Sequence, residues 1–287
     1  MAMDIKTPQQ RRTLKLVWSG VILVIVLAVF LLPYLWIVSS GFKQQTEIFR
    51  DMSPVSWRTF FPSNAVMDNF IELFTVKGVG TAMTNSFLVA AIEVGGALIV
   101  CTTAAYALTR IQFRGRGVVF ALILATFMLP VEAMVVPMYR VVSGMGIQDT
   151  LWAVALPGVA SVFGLFLLRQ SFEQIPIELD EAARLDGAGH VRIFFSIILP
   201  NVKTSLATLI LIKFLFSWNA FLWPLVAIQT QAKQVIQVAV AHSAAPDYLP
   251  NWGLTFAGAA VATLPLLILF LLLQRYFVKG LATTGMK

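Results

Sequence analysis

Few side chains in this sequence could do chemistry, and their number and spacing narrow what that chemistry could be. Two histidines, His190 and His242, and one cysteine, Cys101, are far apart in the chain. A metal site needs three or four such ligands converging, and a disulfide needs a second cysteine. Cys101 therefore reads as a small apolar filler, and no Ser-His-Asp constellation can be assembled around either histidine. Gly187-Ala188-Gly189 begins like a dinucleotide-binding turn, but Arg192 stands where the third glycine belongs and no buried strand precedes it. No G-x-x-x-x-G-K-[ST] phosphate loop occurs anywhere. What remains is Glu93, Glu132 and Lys213 inside apolar runs, where an ionisable group is costly and faces a bundle interior. They could form a proton relay, or they could be structural charges, with Lys213 snorkelling or pairing with a carboxylate.

The elements that carry these residues belong in a bilayer. The chain has 287 residues, 58% hydrophobic and 12% charged, with a mean hydropathy of +0.81. That is too apolar for an ordinary soluble domain. A span needs about 20 apolar residues to cross about 30 Å of hydrocarbon. Six runs qualify: Leu16 to Val38, Met83 to Leu108, Val118 to Tyr139, Leu151 to Leu168, Thr204 to Ile228 and Gly253 to Tyr276. The first follows Lys6, Arg11, Arg12 and Lys15 as a signal peptide would, but it is long and lacks a small-residue cleavage site, so it reads as a retained span. Lys and Arg concentrate on the side of both termini, with Arg110, Arg114, Arg116, Arg169, Arg184, Arg192 and Lys203, which makes that side cytoplasmic. The net charge of +7 then reflects topology and anionic lipid headgroups, with no nucleic acid required. The fold expected is all-α and polytopic, with six transmembrane helices.

Between the fourth and fifth runs lies DEAARLDGAGHVRIFFSIILP, Asp180 to Pro200. Pro176 suits a helix start, and Glu178, Asp180 and Glu181 suit its positive dipole end. Leu179, Ala182, Ala183 and Leu185 form an apolar side built partly from small residues. Gly187 and Gly189 stop the helix, Val191 to Leu199 restarts it, and Pro200 bends it. An amphipathic helix lying on lipid would carry bulky residues and basic flanks. Alanines with an acidic excess fit a protein groove better.

Glu181-Ala182-Ala183, three residues, Gly187, nine residues, Ile197, one residue and Leu199-Pro200 match every fixed position of the EAA signature. On these residues the chain resembles the membrane subunits of binding-protein-dependent ABC importers. Phe166 to Gln170, Trp218-Asn219, Phe221 to Pro224 and Gln274 to Leu281 extend the similarity to the sugar-uptake branch, over roughly the whole chain. One departure is Ala220, where many relatives carry an acidic residue. The resemblance implies a type I ABC importer transmembrane fold, with a cytoplasmic segment 1–15, a first helix and long periplasmic segment 16–80, a core 81–276 with the coupling loop at 170–203, and a cytoplasmic tail 277–287 that reaches toward the ATPase.

It further implies a bacterial inner-membrane permease with both termini cytoplasmic. Its partners would be a second permease subunit in a heterodimer, a cytoplasmic ATPase dimer and a periplasmic or lipid-anchored sugar-binding protein. ATP and Mg would be bound by the ATPase, and no cofactor by this chain. Coupling would fall to Glu181, Ala182, Ala183, Arg184, Asp186 and Gly187. The outer segments 41–81 and 229–252, rich in Pro, Asn and Asp, read as irregular and would dock the binding protein. For the substrate pathway the candidates are Asn85, Trp218, Asn219 and Trp223, because indole faces suit sugar rings and amides bond hydroxyls. Interface anchoring is the competing role for Trp223. An ion-coupled secondary transporter using Glu93, Glu132 and Lys213 is the alternative function.

Overall fold

Apolar runs interrupted by proline become long helices that break where the missing N–H leaves a gap in the ladder. The computed structural model describes the backbone of residues 8–244 and 251–284, and the side chains of residues 15–243, 251–272 and 274. Lys6, Pro246, Pro250 and residues 285–287 fall outside them, as do the side chains of Arg11, Arg12 and the tail 277–284. The chain divides into two compact units, residues 1–77 with 243–261, and residues 78–242 with 262–287.

In the first unit, α1 (Pro8–Gly41) overruns the expected span at both ends. It is followed by α2 (Gln45–Arg50), α3 (Trp57–Phe60) and α4 (Asp68–Thr75), so the segment read as irregular holds three short helices. The helices are tied by backbone carbonyls. Lys43, in the outer segment, is fully buried; its Nζ donates to the carbonyls of Arg58 and Thr59 and lies 3.4 Å from an Asp51 carboxylate oxygen. Asn69 donates to the carbonyls of Gly41 and Lys43. Trp36 packs edge-on to Phe256 at 4.9 Å.

The second unit is built on α5 (Val79–Arg110), 32 residues without a proline. The expected third span is broken. It forms α6 (Arg116–Thr126) and α7 (Val131–Gly144), bent 104° apart, because Pro130 takes an extended conformation and caps α7. The fourth span runs as α8 (Leu151–Ala155), a 3-10 turn Leu156–Val159 holding Pro157, and α9 (Val162–Glu173). Next come α10 (Glu178–Leu185), α11 (His190–Ile193), a π-turn Phe194–Ile198 and α12 (Leu199–Asn201). The fifth span divides into α13 (Lys203–Trp218) and α14 (Leu222–Ala227), followed by α15 (Ile236–Ala244). The last helix, α16 (Trp252–Thr284), begins in the first unit and ends in the second. Among the described residues, four helical stretches are long and apolar enough to cross a membrane unaided, and up to six if two bent pairs, α6 with α7 and His190–Asn201 with α13, each count as one.

Close approach to α5 explains two small residues. A Cβ on Gly96 would lie 2.7 Å from Val159 Cβ, and one on Gly158 would fall on the Glu93 carboxyl group. The 3-10 turn therefore passes against bare backbone. Gly158→Val should lower the thermal unfolding midpoint of the detergent-solubilised chain by an overpacking cost of about 1–3 kcal/mol. Gly117→Ala, where nothing lies within 4 Å, should not lower it.

Candidate functional site

The stretch 176–201 folds as a helical hairpin beside one end of α5. Glu178, Asp180 and Glu181 occupy the first turn of α10, where the helix dipole favours them. Gly187 ends the helix at φ +80°, the left-handed conformation that glycine adopts without steric cost. The Ala188 N–H donates to Ala183 O at 2.9 Å and the Gly187 N–H to Arg184 O at 3.0 Å, the paired closure of a Schellman turn. Gly189 has extended backbone that any residue could adopt, so only one of the two glycines is needed for the turn. The second arm then bends by 78° at Val202, just past Pro200, into α13.

Of the residues expected to couple to a partner, Glu181, Ala182, Arg184, Asp186 and Gly187 are exposed, while Ala183 turns inward onto the core cluster around Phe172 and Ile193. The exposed side also carries Leu179 and Leu185, the latter 90% accessible. A hollow of about 130 Å³ lies between the arms, lined by Ala183, Asp186, Ala188, Arg192 and Ser196. An apolar, small-residue surface with a charged rim is what a protein partner covers.

Besides its place in the first turn, Asp180 turns inward. It is fully buried, with an Oδ2 3.1 Å from Arg110 Nε, and Arg110 also donates from Nη2 to Ile175 O at 2.8 Å. One turn earlier on α5, the Tyr106 hydroxyl is 3.1 Å from His190 Nδ1 and donates to His190 O at 3.3 Å. Both arms of the hairpin are thus held by α5. No motif marks Arg110 or Tyr106; only their i, i+4 spacing was visible, and nothing in the sequence says what that face meets.

Midway along α5, Glu93 pairs with Lys213 of α13 at 2.8 Å, with 8% and 11% of the two side chains exposed. The Lys213 pairing weighed above is the one that forms. Glu132 is exposed in the first turn of α7. Cys101 is buried and its thiol donates to Ser161 O.

At the opposite end, α5 grips the segment after α14. Asn85 donates from Nδ2 to Ala232 O and Gln234 O at 2.9 and 3.0 Å, and the Ile236 N–H donates to Ser86 Oγ at 2.7 Å. Asp149 completes this clamp. Its carboxylate accepts from the N–H groups of Gln229 and Thr230, the Thr230 hydroxyl and Lys233 Nζ. The Thr230 hydroxyl, with the backbone N–H groups and Lys233, holds the Asp149 carboxyl well below its ordinary range.

The aromatic pathway candidates are packed inside. Trp218 is 1% exposed, donates to Ala262 O at 2.9 Å and stacks on Phe214 at 5.5 Å. Trp223 is 8% exposed and donates to Val154 O. Asn219 is exposed, and its amide donates to Leu215 O.

Residues 97–283 match the family described as the binding-protein-dependent transport system inner membrane component. The chain belongs to that family. It is a permease subunit of a binding-protein-dependent importer, and not itself an enzyme. The permease is 34% identical to the arabinooligosaccharides transport system permease protein AraQ of Halalkalibacterium halodurans, over 91% of this chain and 92% of that one. It is 33% identical to the lactose transport system permease protein LacG of Rhizobium radiobacter, over 90% and 92%. It is also 34% identical to the sn-glycerol-3-phosphate transport system permease protein UgpE of Pectobacterium atrosepticum, over 95% and 98%. Among solved structures it superposes on a chain of a bacterial ABC transporter involved in the import of the acidic polysaccharide alginate. That match has a TM-score of 0.81 at 22% identity, covering 96% of this chain and 100% of that chain, and it shows the shared fold. Family membership replaces the ion-coupled alternative, and the Glu93–Lys213 pair stands as an internal neutralisation of charge.

Two outcomes follow from this geometry. Lys213→Met alone leaves Glu93 uncompensated in an apolar interior and should cost about 3–5 kcal/mol, whereas the paired Glu93→Leu, Lys213→Met chain should unfold within about a kcal/mol of wild type or above it. Differential scanning fluorimetry of both variants in detergent checks this. The Asp149 clamp follows the sign of a depressed carboxylate: it contributes fully above the ordinary value of 3.8, and its contribution is lost as pH falls through the lower folded value. Hydrogen exchange of residues 229–236 should stay protected from neutral pH down to about 4 and rise below that, while in Asp149→Asn it should already be fast at neutral pH.

Proposed function

We propose that this permease forms half of the translocation pathway for a sugar or sugar derivative, in a heterodimer with a second permease subunit. The hairpin, through Glu181, Ala182, Arg184, Asp186 and Gly187, docks on a separate cytoplasmic ATPase that binds ATP and Mg. Both termini are cytoplasmic in this arrangement, which puts the hairpin inside and the 229–252 segment outside, facing a periplasmic or lipid-anchored sugar-binding protein. The positive-inside distribution of Lys and Arg supports that orientation. Relatives named for arabinooligosaccharide and lactose transport support a carbohydrate cargo.

The observation that carries the reading is the exposed hairpin surface: small residues, an accessible Leu185 and a left-handed Gly187 that keeps the turn tight. A chain without a phosphate loop needs such a surface to receive work from elsewhere. Asn219 offers an exposed amide to the cargo, while Asn85, Trp218 and Trp223 shape the wall behind it. The importer segments would be the first helix and outer segment 16–80, the core 81–276 and the ends 1–15 and 277–287.

In proteoliposomes holding the assembled importer, Glu181→Lys or Gly187→Asp should abolish ATP-driven uptake while leaving docking of the binding protein intact. Gradient-driven uptake by the purified chain without any ATPase would contradict the reading. A thermal-shift screen of sugars against the binding protein identifies the cargo.

A further inference from the structure

Three polar fastenings lie along α5. Arg110 and Tyr106 hold the two arms of the hairpin at one end, through Asp180 and His190. Glu93 is paired with Lys213 near the middle, where Gly96 and Gly158 bring the 3-10 turn onto the helix. Asn85 and Ser86 hold segment 232–236 at the far end. From Ser86 to Arg110 the helix runs unbroken, about 36 Å at about 1.5 Å per residue. Proline and a bend of more than 40° interrupt other crossings of this unit, but α5 has neither.

These fastenings resist slippage for a physical reason. Asp180 is fully buried and the Arg110 side chain is 6% exposed, so separating them would strand a charge in an apolar setting. The Tyr106–His190 contact fixes the second arm as well, so the hairpin cannot swivel about a single anchor. The outer segment is held likewise, between α5 on one side and Asp149 on the other. A displacement applied to the hairpin must carry α5 with it, and α5 must carry its grip on residues 232–236.

We propose that α5 is the strut that links the hairpin to the outer segment, with Arg110 and Tyr106 as positioning residues at the hairpin end and Ser86 at the outer end. This rests on the coupling role proposed above for the hairpin. Arrival of the loaded binding protein at the outer segment is then felt at the ATPase contact through one rigid helix, and nucleotide-driven movement of the hairpin returns along the same path. Energetic coupling of this kind requires an element that both sites bias, and α5 touches both.

The test uses the assembled importer in proteoliposomes, with its ATPase and binding protein. Basal ATP hydrolysis, hydrolysis stimulated by ligand-loaded binding protein, and retained ATPase are measured for Arg110→Gln, Tyr106→Phe and Ser86→Ala. Each should retain its ATPase and basal hydrolysis, while the ratio of stimulated to basal rate falls by about tenfold. The charge-swapped Arg110→Asp, Asp180→Arg chain should recover that ratio. Where Arg110→Gln fails to assemble, Tyr106→Phe and Ser86→Ala decide. Wild-type ratios in those two, with Glu181→Lys still inactive in uptake, would overturn the strut and leave the hairpin's role standing. Active Glu181→Lys would overturn the hairpin's role itself.

Discussion

Polar groups carried into an apolar interior have to find their partners within the protein, and on α5 that requirement decides where neighbouring elements go. A carboxylate without a countercharge, or an amide without a carbonyl, costs several times what one well-made hydrogen bond returns. Glu93 therefore brings in Lys213, Asn85 brings in the carbonyls of Ala232 and Gln234, and Arg110 brings in Asp180. Between these points the contacts are apolar and close, and glycines let the backbone approach where a side chain would collide. The apolar packing supplies cohesion, and the polar pairs supply register.

That division gives the hairpin its character. Its outer surface is small, partly charged and accessible, a face to be covered by something else. Its inner side is committed, through a buried ion pair and a tyrosine–histidine contact, to a single helix. A loop that only lay on the headgroups would need neither. The Asp149 clamp plays the corresponding part for the segment after α14, with a carboxylate that gathers four donors from residues 229–233.

Much of this was legible in the sequence, because it rests on local physics. Hydropathy located the crossings, the EAA spacing located the hairpin, and the backbone freedom of Gly187 located its turn. The breaks were harder. Pro130 was visible inside the third run, but whether it kinks a span or divides it by 104° depends on what the flanking helices pack against. Long-range pairing was not legible at all. Asp180 looked like one of three acidic residues suited to a helix start, and Arg110 like one more inner basic residue. Lys43, within an outer segment read as irregular, is fully buried. Trp218 and Trp223 are buried with their N–H groups given to main-chain carbonyls, partners that no spacing along the chain announces. Spacing along the chain reports which face a residue occupies, and it says nothing of what that face meets.

The most direct measurement is a pulsed electron-spin distance within the assembled importer, between labels at Val191 on the second arm of the hairpin and Thr103 on an exposed face of α5, with Cys101 replaced by alanine. Both sites are accessible. If the hairpin and α5 move as one body, the distance distribution is the same in nucleotide-free and ATP-trapped importer. A shift of the distribution between those states would mean that the hairpin slides on α5, and the account would be contradicted.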